Sequence, residues 1–332
     1  MTEIRQNLVT KEWVVIATER AKRPEDFKKK EKQKVNLPEY ESTCPFCPGN
    51  EATMSPEETL RIDRNGRWQV RIIPNKFPAL SKTGERIRTV DGIKRRITGV
   101  GLHEVVIETP RHNTTTALLP LDDVCDIIKS YKARYNEIAI DKRIEMIIIF
   151  KNHGEAAGTS LLHPHSQIVA TPVVPSQVRD RFNDAQKYFD ENLECVFCKI
   201  LSEELKDGSR IVLETKHFVS FIPYAALSPF HLWIYPKRHY SSFGDISKDE
   251  ISDFAFNLQT TLKKYYYGLD NPDFNYVIRS SPTDLKELDF FHWYLSIVPR
   301  LTKAAGFELG SGMFINTSLP ENDAKFLREI KV

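Results

Sequence analysis

The chain repeats itself, and that repeat limits what it can fold into. Two C-x-x-C pairs, CPFC (Cys44–Cys47) and CVFC (Cys195–Cys198), are each followed by a similar train of features. After the first comes HEVVIETPRH, ending at His112; after the second comes HLWIYPKRH, ending at His239. Both read as strands, rich in β-branched and aromatic residues and closed by a proline and a basic residue. A helix follows each. Val124, Ile127, Ile128, Tyr131, Tyr135 and Ile138 share the offsets of Ile251, Phe254, Ala255, Leu258, Leu262 and Tyr265, and these mark one helical stripe. The second helix opens on a capping box, Ser247 with Glu250, and Gly268 is expected just past its end. The first has Asp122 and Asp123 in its opening turn, where acids suit the helix dipole. Two more strands follow in each half, MIIIFKNHG with HPHSQIVATP and FNYVIRSSP with FHWYLSIVP. From His112 to His163 is 51 residues, and from His239 to His292 is 53. Such agreement implies two copies of one αβ unit. Short turns between strands and one long helix per copy predict an α+β fold, each copy an antiparallel sheet with its helix on one face. The expected units are residues 1–175 and 176–332.

Each copy offers four metal ligands: Cys44, Cys47, His112 and His163 in the first, and Cys195, Cys198, His239 and His292 in the second. Thiolate with imidazole suits Zn(II), and a closed tetrahedral Cys2His2 set leaves no position for a catalytic water. Two structural zinc ions per chain are therefore expected. A thioredoxin-type redox pair is the competing reading, but neither C-x-x-C stands between a strand and its helix as that fold requires. Cys125, on the first helix, reads as a buried thiol acting as a small hydrophobe.

Net charge is +2, so nothing draws the whole chain toward nucleic acid or a membrane. The basic run KKKEKQK, residues 28–34, reads as a solvated linker. No apolar run of spanning length occurs, and the N-terminus carries charges where a signal peptide needs an apolar core. A cytoplasmic protein with reduced cysteines is expected.

The repeat isolates one residue. His163 matches His292, but two residues on, His165 matches Tyr294, because HPH becomes HWY. His165 thus has no role that the second copy preserves. Residues i and i+2 of a strand share a side, so His165 would stand beside a metal ligand on a rigid element, with Gln167 next along the same face. Imidazole can act as base or nucleophile, and an amide donor beside it suits an anionic oxygen such as that of a phosphate. A satisfied core histidine is the bland alternative, against which the polar alternation at 163, 165 and 167 argues.

LHPHSQIV resembles the histidine-triad signature, and glutamine in place of the third histidine resembles its galactose-1-phosphate uridylyltransferase branch. ERAKRPEDF, CPFCPGNE, RIIPNKFPAL, NHGEAAGTSLLHPHSQ, HWYLSIVPRL and GFELGSG carry the resemblance over nearly the whole chain. It implies a transferase built of two histidine-triad-like units that works by ping-pong chemistry. His165 would attack the α-phosphorus of a nucleoside diphosphate sugar such as UDP-glucose, release a hexose 1-phosphate, and pass the nucleotide to galactose 1-phosphate. The resemblance also implies a homodimer and a set of site residues. Gln167 would hold a non-bridging oxygen, and Ser160 would hydrogen-bond the phosphates. Arg20 and Arg23 would meet phosphate. Asn75, Phe77, Asn152 and Gly158 would line the nucleotide site. Lys303, Phe307 and Glu308 would serve the sugar end. Two departures, Ser166 and the Cys2His2 composition of the second metal set, make the chain similar to a branch that includes ADP-glucose phosphorylases, where the donor is ADP-glucose and the acceptor inorganic phosphate. A triad-type hydrolase is disfavoured by Gln167. A zinc module binding nucleic acid is disfavoured by the neutral charge and because Cys47 and Cys195 lie 148 residues apart.

Overall fold

The structure is a computed structural model that describes residues 2–17, 27, 37–53, 57–285 and 287–332. Arg20, Arg23 and the basic run 28–34 lie outside the described residues. In chain order the elements are β1 (Glu3–Gln6), β2 (Trp13–Ile16), β3 (Leu60–Arg64), β4 (Arg67–Pro74), β5 (Arg88–Asp91), β6 (Lys94–Ile97), β7 (Leu102–Ile107), α1 (Leu121–Ile138), β8 (Met146–His153), β9 (His165–Thr171), α2 (Ser176–Asn192), α3 (Val196–Asp207), β10 (Ile211–Glu214), β11 (Phe218–Phe221), β12 (Leu232–Pro236), α4 (Lys248–Gly268), β13 (Phe274–Arg279), β14 (Tyr294–Pro299), α5 (Gly306–Ser311), β15 (Phe314–Asn316) and α6 (Pro320–Glu329).

The fold is α+β, and the repeat is visible in it. The two copies do not form separate sheets. They join into one ten-stranded sheet in the order β10-β11-β12-β14-β13-β8-β9-β7-β4-β3. Every pairing in it is antiparallel, including the β8–β13 pairing that joins the copies. Phe150 pairs with Gln167 in the first copy, and Val277 pairs with Ser296, the counterpart of Gln167, in the second. Phe150 and Val277 are therefore equivalent, and they pair with each other at the junction. A two-fold pseudo-axis passes between them.

The helical stripes do what their spacing predicts. All six apolar positions of each are buried, and α1 and α4 lie side by side on one face of the sheet. The capping box of Ser247 and Glu250 is formed. Gly268 is a correction: it is the last helical residue rather than a cap beyond the end. The reason is close approach, because a Cβ there would come within 3.0 Å of Ile330 and 3.2 Å of Phe326.

The opposite face differs between the copies. Over the second, α2 and α3 lay Phe182, Ala185, Val196, Phe197 and Leu201 onto Trp233, Tyr235 and Tyr294. Over the first, the described residues form a smaller cluster around Cys44, Phe46, Cys47 and Trp68. Among the described residues, the face near β9 stays open around the His165 ring. The strands β1, β2 and β15 make a separate small sheet, and β5 and β6 a hairpin. Among the described residues no helix is long and apolar enough to cross a membrane.

Candidate active site and metal centres

The first four-ligand set assembles as its spacing implied. Cys44, Cys47, His112 and His163 converge, all buried, although Cys47 and His163 are far apart in the chain. The Sγ–Nδ1 separations are 3.7 Å (Cys44–His163), 3.6 Å (Cys47–His163) and 3.6 Å (Cys47–His112). Zinc bonds to sulfur and imidazole nitrogen at tetrahedral angles require an edge of about 3.6 Å. His163 donates from Nε2 to the Thr109 carbonyl at 2.7 Å, which frees Nδ1 for a metal. Burial pushes the His163 imidazole down to about 4, so it is neutral, the form that ligates. The donor set fits zinc.

The second set is looser. Cys195, Cys198 and His239 form one group, and His292 stands outside it, although its Nδ1 is 3.5 Å from Cys198 Sγ. His239 Nδ1 is 3.2 Å from the same sulfur, and its Nε2 donates to the Leu288 carbonyl at 2.9 Å. Cys195 caps the start of α3, unlike the helix-free loop of the first pair. Hydrogen bonds from Cys198 and His239 lower the Cys195 thiol below its ordinary value against its burial. Cys125 is buried on α1, apart from both sets.

His165 heads β9, and His163 lies just before that strand rather than on it. Phe46, from the first C-x-x-C, sets its ring edge against both imidazoles, at centroid distances of 5.9 Å and 5.3 Å. The same-side placement of the two histidines holds. His165 donates from Nδ1 to the His163 carbonyl at 2.8 Å. A carbonyl only accepts, so Nδ1 carries the proton and Nε2 keeps its lone pair. Burial, opposed by that hydrogen bond, moves the imidazole below its ordinary value. A cavity of about 980 Å³ opens at this ring, lined in part by Asn152, Thr159, Leu161 and Pro164. The Cys44–Cys47 loop, His163 and the His165 ring are thus one packed unit.

Behind the ring, on the helix face, lies a buried polar cluster. Lys151 Nζ pairs with Glu108 at 2.5 Å and donates to the His165 carbonyl at 3.2 Å. Thr116 and Tyr131 donate to the same carboxylate, and Tyr131 also meets Ser166 and Tyr276. The Lys151 ammonium and these donors hold the Glu108 carboxyl below its usual range against its complete burial. Neither Lys151 nor Glu108 stands out in the sequence, beyond being a charge inside an apolar strand segment.

The other sequence-named residues fall in three groups. Asn152 is linked to Asn275 across the junction at 2.7 Å, and Gly158 ends a short turn at φ +85°, a left-handed conformation that favours glycine. Ser160 is exposed on the loop before His163. Asn75 accepts the Phe77 N–H at 2.9 Å, with the Phe77 ring 81% exposed. Asn75 approaches His103, which contacts Gln167 at 2.7 Å. Lys303, Phe307 and Glu308 lie at or beside α5, where Glu308 accepts the Ala305 N–H. None of these three lines the His165 cavity among its described residues.

Known proteins are similar to this chain. A sequence model described as galactose-1-phosphate uridyl transferase, N-terminal domain, matches residues 1–175. An ADP-glucose phosphorylase of Arabidopsis thaliana is 40% identical over 99% of this chain and 93% of its own. A galactose-1-phosphate uridylyltransferase of Thermotoga maritima is 31% identical over 100% of this chain and 99% of its own. The crystal structure of an Arabidopsis thaliana ADP-glucose phosphorylase with bound ADP-glucose superposes with a TM-score of 0.84 at 36% identity, covering 100% of this chain and 99% of that one. The fold and these relatives define an enzyme of the nucleotidyltransferase class. Within that class, the chain belongs to the galactose-1-phosphate uridyl transferase family.

Proposed function

We propose that the protein transfers a nucleotidyl group from a nucleoside diphosphate sugar to a phosphate acceptor through a covalent nucleotidyl-His165. The observation that carries this reading is the fixed tautomer of His165. Its Nδ1 proton is given to the His163 carbonyl, so a neutral Nε2 lone pair is presented at a cavity mouth. Attack of Nε2 on the α-phosphorus forms an N–P bond as the bond to the hexose 1-phosphate oxygen breaks. Attack by the acceptor's phosphate oxygen then restores the imidazole. Gln167 and Ser160 meet the phosphoryl oxygens; Arg20, Arg23, Asn75, Phe77, Asn152 and Gly158 serve the nucleotide and its phosphates; Lys303, Phe307 and Glu308 serve the sugar. The leading substrates are UDP-glucose and galactose 1-phosphate, which ties the enzyme to galactose metabolism. A second reading, ADP-glucose with inorganic phosphate, is supported by the 40% identity to the Arabidopsis thaliana phosphorylase.

Incubation with either donor labelled in its α-phosphate tests the mechanism. The expected result is acid-labile label on His165, and no label from UDP- or ADP-glucose overturns it. Turnover of both donors with galactose 1-phosphate and with phosphate separates the two readings. The two Cys/His sets are proposed to hold one structural zinc each. Metal analysis should find two zinc ions per chain, falling to one in Cys44→Ser. The chain is further proposed to be a cytosolic homodimer built of units 1–175 and 176–332, which light scattering and limited proteolysis test.

A further inference from the structure

We infer that His103 is a positioning residue that sets which end of the Gln167 amide faces the phosphoryl group. This rests on the transfer reading above. His103, on β7, sits diagonally across from Gln167 on β9, with Val169 directly opposite it in the register. The Ala79 backbone N–H points at His103 Nδ1 at 3.2 Å. A backbone N–H can only donate, so Nδ1 is the acceptor and the ring proton sits on Nε2. Nε2 lies 2.7 Å from Gln167 Oε1, which must then accept. The Asn75 amide nitrogen, 3.1 Å from the same Nε2, has its own oxygen held by the Phe77 N–H and gains no acceptor in this tautomer. With Oε1 taken, Gln167 presents its NH2 group, a double donor, to the open side of β9. Among the described residues that amide nitrogen has no hydrogen-bond partner.

The second copy shares only the backbone contact of this wiring. His231, the matched residue, receives the Leu227 N–H at Nδ1 at 3.3 Å, but its Nε2, 2.9 Å from Ser296 Oγ, also receives the Trp233 indole N–H at 3.1 Å, so the proton assigned to His103 Nε2 has no counterpart there. Ser296 is the counterpart of Gln167. The backbone-to-histidine wiring is present twice, but an amide stands at its end only where a nucleophile stands two residues away. If the ring adopted the other tautomer, Gln167 would turn its carbonyl oxygen toward a phosphate, and two negative dipoles would oppose each other at the reacting centre.

The test measures single-turnover formation of nucleotidyl-His165 with UDP-glucose and with ADP-glucose in the full chain. His103→Phe, which keeps the ring but cannot donate, should slow the step by about 10- to 100-fold while KM changes by less than about threefold, in the range seen for loss of one oriented donor. His103→Gln, which can donate, should recover most of the rate. The double variant His103→Phe/Gln167→Met should be no slower than Gln167→Met alone, because the histidine acts only through the amide. His103→Leu replaces the Phe variant if that chain does not fold. Nitrogen-15 NMR of the resting enzyme should find the His103 proton on Nε2. A proton on Nδ1, or effects of His103→Phe and Gln167→Met that multiply, overturns the inference while leaving the transfer reading intact. Wild-type chain that takes no label overturns both.

Discussion

At the scale of single residues, the site works by fixing tautomers and lone pairs with main-chain groups. The Thr109 carbonyl turns His163 toward the metal set, and the His163 carbonyl turns His165 toward the cavity. The Lys151–Glu108 pair supports that arrangement from behind and is buried, at 2% and 0% side-chain exposure. Lys151→Met would leave the carboxylate unpaired in the core, and removal of one partner of a buried pair costs about 3–5 kcal/mol. Denaturant unfolding should show a loss of that size, partly recovered by adding Glu108→Gln, which removes the stranded charge. His165→Asn should keep the fold and lose activity by about 10⁴-fold or more, as for other removed nucleophiles, measurable as absent label and collapsed kcat. The convergence of Cys44, Cys47, His112 and His163 was legible in the sequence, and so was the singular place of His165, because the repeat makes each a match or an exception. His103, Lys151 and Glu108 were not, although both strand segments open on a histidine. Their partners lie on neighbouring strands, and a single strand's spacing carries no record of what sits across from it.

At the scale of elements, α4 shows how closely sequence and structure can agree. Ser247 accepts the Glu250 N–H and Glu250 accepts the Ser247 N–H, while the carboxylate also takes two hydrogen bonds from Arg238. Those donors hold the Glu250 carboxyl at about 2 despite its burial. A carboxyl lowered by folding contributes stability that is complete above the unfolded value of about 4.3 and is lost as pH falls toward 2. Glu250→Gln should therefore destabilise the chain by about 1–2 kcal/mol at pH 7, a figure discounted because Arg238 is half exposed. Thermal unfolding of the two proteins should converge as the pH approaches 2. Ser247→Ala should cost about 1 kcal/mol at every pH above that window. The helical stripes were legible because burial on one side enforces the period. The end of α4 was not: Gly268 marks contact with α6, which is a tertiary fact. Nor does the sequence show that α2 and α3 would both close the second copy's face.

At the scale of the whole molecule, the informative feature is the seam between β8 and β13. Five strands on either side of it make one continuous sheet, so neither copy can leave without baring a long apolar strand edge. Residues 1–175 produced alone should aggregate or pair through β8, and co-production with residues 176–332 should recover a soluble one-to-one complex, read by size-exclusion chromatography with light scattering. The copies were visible in the sequence; their seam was not, because pairing between distant strands leaves no local period. On the pseudo-axis Phe150 faces Val277, a large side chain against a small one. Two first copies would set phenylalanine against phenylalanine, and two second copies valine against valine, so the seam of the tandem chain differs from either self-pairing. A symmetric pair of identical chains must carry every substitution in duplicate. A tandem chain carries it once, and this is how one half can keep an imidazole at the head of its strand while the other, with tyrosine in the same place, is free to become scaffold.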